Sequence, residues 1–268
     1  MDSIIDELAA FPTLRDINLN YLSDSSHIGN LEAFSNLHKI CVKVHRSGPE
    51  KVILELGKLL AQCPGLTDLD VSVSFDQDNM SQLFQFLNQT GKPLSLRHLR
   101  MNGVTFFPDC LKLAIGNFRS LQSLHIHRFS NGTVPGATIW DILRKERIHI
   151  QILSTDAADD SLLRYLSSFH GLRKFSMIRY MYLQPDPITI LQTMIPHHVE
   201  SLTELSMFAG SESQMSVLVL PENLISLLSS VKDLQHFGLQ LHVFSSYISI
   251  IVSVFCNGPY ILFIRLIR

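Results

Sequence analysis

Two pairs of histidines are the first candidates for metal chemistry. His125 and His127 stand two residues apart in a predicted strand, so their side chains share a face and could both ligate zinc. A zinc site needs three or four ligands, and the nearest cysteine or acid lies in a different segment of the chain. We therefore interpret this pair as surface histidines. His197 and His198 lie at the predicted end of a helix, point in different directions and receive the same interpretation.

The segment Asp76-Gln77-Asp78-Asn79 begins like a calcium-binding loop. Such a loop needs glycine at its sixth position and an acid at its twelfth, where this chain has Ser81 and Leu87. No glycine-rich phosphate loop, nucleophile elbow or metalloprotease helix occurs in the sequence. We therefore predict no metal, no cofactor and no enzymatic activity.

The charge balance disfavours a nucleic-acid-binding protein. Lysine and arginine total 22 against 24 acidic residues, which gives a formal net charge of −2, whereas nucleic-acid-binding domains usually carry a strongly basic face. The densest basic cluster, Arg144-Lys145-Glu146-Arg147, is interpreted as a solvated helix end. Hydrophobic residues make up 46% of the chain, which predicts a folded rather than a disordered protein.

Cysteine usage and the N-terminal segment predict a reducing compartment. Cys41, Cys63, Cys110 and Cys256 include no CxxC pair, and a disulfide framework would need a denser pattern. The first seven residues contain three acids and no basic region, unlike a signal peptide. The expected location is the cytoplasm or the nucleus.

An internal repeat is the strongest signal in the sequence. Three apolar residues recur with two variable residues between the first pair and one between the second, and the copies follow each other at steps of 23 to 32 residues. A degenerate copy is predicted where Ile148, Ile150 and Ile152 alternate as in a strand. The eight regular copies are Leu14-Ile17-Leu19, Leu37-Ile40-Val42, Leu66-Leu69-Val71, Leu96-Leu99-Met101, Leu121-Leu124-Ile126, Leu172-Phe175-Met177, Leu202-Leu205-Met207 and Leu234-Phe237-Leu239.

The second half of the repeat has helical spacing. Apolar stripes begin at Val52, Met80, Leu162 and Leu224, and Asp159 and Asp160 favour the N-terminal end of the third helix. The mean step of about 27 to 28 residues falls near the upper part of the leucine-rich-repeat range. We predict an α/β leucine-rich-repeat solenoid over residues 1–242, a horseshoe with parallel strands on its concave face and helices on its convex face. An ordinary doubly wound α/β domain is the alternative.

The repeats resemble the leucine-rich-repeat region of fungal F-box-like proteins. The likeness is carried most specifically by Cys63-Pro64-Gly65-Leu66-Thr67-Asp68-Leu69, by Phe169-His170-Gly171-Leu172-Arg173-Lys174-Phe175, and by His197 through Leu205. This resemblance implies a substrate receptor of a ubiquitin ligase, which reaches the ligase adaptor through an F-box. The chain shows no F-box, and its strands lack the asparagine that usually follows them in the family.

The variable strand positions predict the binding face. They point away from the core and should lie side by side when the repeats stack, so Asp70, Arg100 and His125 are expected to be lateral neighbours. Asp70 and Arg100 could form an ordinary solvated salt bridge, or Arg97, Arg100, Arg173 and Lys174 could anchor an acidic protein segment. We predict a non-catalytic scaffold that binds a protein partner through this face. Its predicted contact residues are Lys39, Asp68, Asp70, Arg97, His98, Arg100, His125, Arg173, Lys174 and Glu204.

The C-terminal segment, residues 243–268, departs from the repeat pattern. No charged residue occurs from Val243 to Ile264. It is interpreted as a last strand and cap over the end of the solenoid, as an aberrant or truncated end, or as a membrane anchor. Asn257-Gly258-Pro259 disfavours the anchor because it would break a spanning helix, so membrane association is not expected.

Overall fold

The structure is a computed structural model that forms two compact units, Met1–Ile142 and Leu143–Arg268, called here the first and the second unit. Each unit is described by itself. The structure describes residues 7–8, 10–11, 13–21, 31–44, 49–73, 80–89, 93–103, 112–127, 139–156, 158–179, 187–209, 222–243, 248–255 and 261–267.

The first unit repeats a strand followed by a helical segment. Its five described strands pair in chain order, and all neighbours are parallel. They are β1 (Asp16–Tyr21), β2 (Lys39–Val44), β3 (Asp68–Val73), β4 (His98–Asn102) and β5 (Ser123–His127). The helices are α1 (Pro49–Gln62), α2 (Met80–Gln89) and α3 (Ile139–Lys145), with short 3-10 helices at Leu31–Ala33 and Ile115–Phe118. The boundary between the two units lies within α3.

The second unit continues the same alternation and then changes. Strands β6 to β9 are parallel in chain order, whereas β10 pairs antiparallel with both β9 and β11. The strands are β6 (Ile152–Thr155), β7 (Lys174–Arg179), β8 (Glu204–Ala209), β9 (His236–Val243), β10 (Ile248–Phe255) and β11 (Ile261–Ile267). The helices are α4 (Asp160–Leu166), α5 (Pro187–His198) and α6 (Glu222–Ser229).

The apolar C-terminal segment thus contributes antiparallel strands to the sheet. Asn257, Gly258 and Pro259, which disfavour a membrane anchor, lie outside the described residues. None of the helices that the structure describes combines the length and the apolar character needed to cross a membrane.

The predicted repeat register is confirmed by the strand pairing. Ile40, Leu69, Leu99 and Leu124 are partners across β2 to β5, and each is at most 3% exposed. In the second unit Phe175, Leu205 and Phe237 form the corresponding row, at most 6% exposed. Burial of this recurring row gives every repeat the same place in one continuous core of its unit. The first copy differs, since Leu14, Ile17 and Leu19 are only half-buried.

A backbone ladder joins successive repeats just before each strand. The amide of Thr67 donates to the carbonyl of His38 at 2.9 Å, that of Arg97 to Thr67 at 2.8 Å, and that of Gln122 to Arg97 at 2.9 Å. Thr203 and Gln235 continue the same scheme in the second unit. Each repeat therefore satisfies polar backbone groups of its neighbour, which an isolated repeat could not do.

The degenerate repeat has a different register from the one predicted. The alternation of Ile148, Ile150 and Ile152 is not a strand, because β6 begins only at Ile152. Leu153 pairs with Phe175 and Thr155 with Met177, so the three core positions are Ile150, Leu153 and Thr155. Thr155 is fully buried, and a polar residue at the third core position conceals this copy from a search for apolar spacing.

The predicted helical stripes of α1, α2 and α4 are buried where the structure describes them, whereas Leu227 and Leu228 of α6 are only half-buried. Val52, Leu56, Leu59 and Leu60 of α1 are each at most 1% exposed. Asp159 lies at the N-terminal end of α4 as expected, and it also caps that end, since its Oδ1 accepts the Leu162 amide at 2.9 Å. Between β1 and β2 the described helical segment is the 3-10 turn Leu31–Ala33, and between β4 and β5 it is residues 112–118.

One sequence-based expectation fails in α5. His198, interpreted as a surface residue, is 1% exposed. Its Nδ1 accepts the Leu172 amide at 3.3 Å and its Nε2 bonds the Leu166 carbonyl at 2.9 Å. A helix end can bury a polar ring when backbone groups of the neighbouring repeat satisfy both nitrogens, as happens here. His197, the adjacent residue, is half-buried.

Candidate protein-binding face

The outward positions of β1 to β5 form three rows across the first unit, and together they are called the strand face. Successive strand side chains alternate between core and surface, so every second residue contributes to it. Its charged members are three aspartates and three basic residues, so the face carries formal positive and negative charge equally. The rows are Asp16, Lys39, Asp68, His98 and Ser123; Asn18, Cys41, Asp70, Arg100 and His125; and Asn20, Lys43, Ser72, Asn102 and His127.

An open cleft of about 240 Å³ lies between the first two of these rows and is called the strand-face cleft. The strand residues Ile40, Leu69 and Leu99 form its floor. Six of the predicted contact residues contribute to its lining, together with Ser123. Those six are Lys39, Asp68, Asp70, His98, Arg100 and His125.

Asp70 and Arg100 are confirmed as lateral neighbours, and they form an ion pair. They are register partners on β3 and β4, and Arg100 Nη1 lies 3.8 Å from Asp70 Oδ2. The Arg100 side chain is 54% exposed and that of Asp70 is 23% exposed. The distance exceeds that of a hydrogen bond, and among the described residues the buried Asp70 Oδ1 has no hydrogen-bond partner. The pair is therefore loose, and Asp70 retains acceptor capacity.

His125 closes the cleft without adding charge. It is half-buried, and its Nε2 lies 3.0 Å from the Ser123 hydroxyl. Burial, followed by the positive charge of Arg100, lowers the pKa of His125 to about 4, so the ring is neutral near pH 7. The charge of the cleft therefore comes from Lys39, Asp68, Asp70 and Arg100. Ser123 is absent from the predicted contact residues, although its position before a core leucine marks it as outward.

Cys41 stands in the second row, yet it is only 8% exposed. Burial, and then the neighbouring Asp70 carboxylate, raise the pKa of its thiol. Cys63 is fully buried and its Sγ lies 3.5 Å from the Phe34 carbonyl. Both are free thiols, whereas Cys110 and Cys256 lie outside the described residues.

The four predicted basic anchors are divided between the two units. Arg97 is exposed in the first unit, beside but not in the lining of the cleft that contains Arg100. Arg173 and Lys174 belong to the second unit, where Lys174 Nζ lies 2.6 Å from the Oε1 of Glu204. Two of the four anchors are therefore paired with acids, and the strand face is charge-balanced rather than basic.

Among the described residues, no three histidine, cysteine or acidic side chains lie close enough together to bind a metal ion. His127 is half-buried beside His125, and Asp76 to Asn79 fall outside the described residues. No protein-family model matches the sequence. A search of curated proteins likewise gives no match.

Proposed function

We propose that this chain is a leucine-rich-repeat solenoid and a non-catalytic scaffold that binds a partner protein through the strand face. The strand-face cleft is the observation that supports this proposal most directly, because outward residues of β2, β3 and β4 present charged side chains there with unused bonding capacity. The common register of β2 to β5 supports the assignment, because stacking places these residues side by side.

The dimensions of the face favour a protein over a small molecule. Pockets for drug-sized ligands usually enclose about 300–1,000 Å³ and are mostly apolar. The strand-face cleft is smaller and open, and seven of its ten lining residues are charged or polar. Adjacent strands lie about 4.8 Å apart, so the five strands spread the outward residues of the strand face over about 19 Å. The free thiols of Cys41 and Cys63 support action in a reducing compartment, the cytoplasm or the nucleus.

Charge exchange within ion pairs tests this proposal with little disturbance of the fold. The double variant Asp70→Arg/Arg100→Asp keeps an ion pair on the strand face but reverses its order. The matched control Lys174→Glu/Glu204→Lys does the same in the second unit. Affinity purification of the full chain from native extract should capture a partner with the parent and the control. The strand-face variant should lose it while retaining the parent's thermal melting.

Two outcomes would count against the strand face. Equal capture by all three proteins would show that Asp70 and Arg100 are only part of a solvated surface. Loss with the second-unit variant alone would move the binding site to the strands that carry Lys174 and Glu204.

A further inference from the structure

We propose that the strand-face cleft binds an extended segment of the partner protein in which one basic residue stands between two acidic residues. This inference rests on the proposed function and specifies the chemistry of the partner at the same site. The segment runs across the strands, from β2 to β4.

The order of charges across the cleft is the basis of the proposal. Lys39 on β2 is the register partner of Asp68 on β3, and Asp70 on β3 is the partner of Arg100 on β4. A segment that crosses these strands therefore passes the positive charge of Lys39, then the two negative charges on β3, and then the positive charge of Arg100. Complementary charges on the partner have the order acid, base, acid, and like charges placed opposite each other would repel.

These four side chains can form further ion pairs and hydrogen bonds with a partner. Within the described part of the chain neither Lys39 nor Asp68 takes part in an ion pair, and Asp68 Oδ2 accepts only the Thr67 hydroxyl, at 2.7 Å. Arg100 is more than half exposed and holds Asp70 at a distance of 3.8 Å. When Arg100 turns outward to a partner carboxylate, it uncovers Asp70 for the basic group of the partner. One loose internal pair is thereby exchanged for two intermolecular pairs.

Strand geometry sets the spacing of the partner residues. Lys39 and Arg100 lie on strands two apart, about 10 Å across the sheet, and two residues apart in register, about 7 Å along the strands, so their backbones are about 12 Å apart. In an extended segment every second side chain shares a face, so two acids separated by three residues lie about 13 Å apart. The long side chains of Lys39 and Arg100 bridge the difference. The fitting pattern is Glu-x-Arg-x-Glu, with the arginine above Asp68 and Asp70.

The neighbouring strand limits the pattern to these three charges. On β5 the cleft is lined by Ser123 and His125, which are joined to each other at 3.0 Å. His125 is uncharged near pH 7 because its pKa is about 4. His98 adds an exposed ring on the same strand as Arg100. No further acid or base of the partner is therefore selected on this side.

Peptides of identical composition test the order of charges. The probe is acetyl-Glu-Ala-Arg-Ala-Glu-amide, and its control is the permuted acetyl-Arg-Ala-Glu-Ala-Glu-amide. Both are titrated into the ¹⁵N-labelled full chain while backbone amide resonances are followed by NMR. We expect the probe to shift the amides of Asp68, Asp70 and Arg100 and to bind about fivefold more tightly than the control, as two displaced exposed ion pairs would give.

Variants assign the effect to the cleft. The double variant Asp68→Asn/Asp70→Asn should lose the preference for the probe, whereas Glu204→Gln in the second unit should keep it. Equal affinity for the two peptides, shifts confined to other strands, or no binding of either peptide would each overturn the proposed charge order. If the natural partner is still lost with the Asp70→Arg/Arg100→Asp variant, the scaffold function stands without this order. If the peptides show the preference and no partner is captured, the scaffold function fails while the charge order of the cleft stands.

Discussion

The imidazole of His198 accepts a hydrogen bond from the backbone amide of Leu172, with 3.3 Å between Nδ1 and the amide nitrogen. Because that amide can only donate, Nδ1 carries no proton, and Nε2 donates to the Leu166 carbonyl at 2.9 Å. The ring thus ties the end of α5 to the end of α4 and to the chain leading into β7. A second proton on Nδ1 would point at an N–H group and break this connection.

Acid should therefore weaken the second unit through His198. Burial, with further repulsion from His197 and His170, lowers its pKa to about 4, below the unfolded value near 6.5. A histidine whose pKa is lower in the folded protein than in the unfolded chain makes its full contribution to folding stability above pH 6.5. This contribution is lost as the pH falls to about 4. The expected loss is about 3 kcal/mol in the free energy of unfolding, measured by urea titration at several pH values.

A substitution separates this effect from that of other titrating groups. His198→Gln should destabilise the protein by about 1–3 kcal/mol at neutral pH, because buried backbone groups lose good partners. Its stability should vary less than that of the parent between pH 4 and 6.5. His125→Gln serves as the comparator, since His125 titrates over the same range in the first unit. Parallel pH profiles for the parent and His198→Gln would refute the assignment.

The strand register makes a prediction about the leucine core. Leu69 and Leu99 are adjacent register partners on β3 and β4, exposed by 3% and 2%. Leu69→Ala and Leu99→Ala should each lower the free energy of unfolding by about 2–5 kcal/mol, because each leaves a cavity. Asp68→Ala, on the outward side of the same strand, should change it by less than about 0.5 kcal/mol. Costs near zero at both leucines would contradict the register.

The sequence predicts the repeated core well because that core depends on residue type and spacing alone. Ile40, Leu69 and Leu99 occupy one row since each is the middle apolar residue of its copy, and the same spacing places Asp70 beside Arg100. Thr155 fills a core position with a polar residue, so the copy that contains it has the wrong register when apolar spacing is the only guide.

Polar residues that are satisfied by a neighbouring repeat lie beyond this kind of prediction. The burial of His198 depends on backbone groups of Leu166 and Leu172, 32 and 26 residues earlier in the chain. No local sequence pattern reveals that the Leu166 carbonyl and the Leu172 amide need hydrogen-bond partners. The half-buried state of His125 likewise depends on packing of adjacent strands, and its effect on charge emerges only from the three-dimensional arrangement.

Asn117 offers a test of such a connection in the first unit. This side chain is 3% exposed; its Oδ1 accepts the Leu94 amide at 2.6 Å, and its Nδ2 donates to the Ala114 carbonyl at 3.0 Å. Asn117→Ala should cost about 1–3 kcal/mol, because the Leu94 amide is left buried without an acceptor. Hydrogen exchange of that amide should accelerate in the variant. The comparator Asn88→Ala changes an exposed asparagine and should leave it unchanged.

Helices α1 and α2 approach each other through Gly57. A Cβ atom added there would lie 2.7 Å from Cδ2 of Phe86 and 3.0 Å from its Cβ, closer than packed carbon atoms tolerate. Two effects of Gly57→Ala then compete. Alanine favours an α-helix over glycine by about 1 kcal/mol, whereas overpacking a filled contact costs about 1–3 kcal/mol. Since both the ring and the Cβ of Phe86 must shift, we expect net destabilisation of about 1 kcal/mol, measured by urea unfolding.

Shortening the opposing side chain distinguishes the contact from a backbone effect. In a Phe86→Ala background the space opposite Gly57 opens, so Gly57→Ala should become neutral or stabilising as the helix propensity of alanine alone remains. The difference between the two backgrounds is the coupling between the positions, expected at about 1–2 kcal/mol for residues in direct contact. An equal cost of Gly57→Ala in both backgrounds would mean that Phe86 does not limit the approach of the helices. Close helix packing at Gly57 would then not be what excludes a larger residue there.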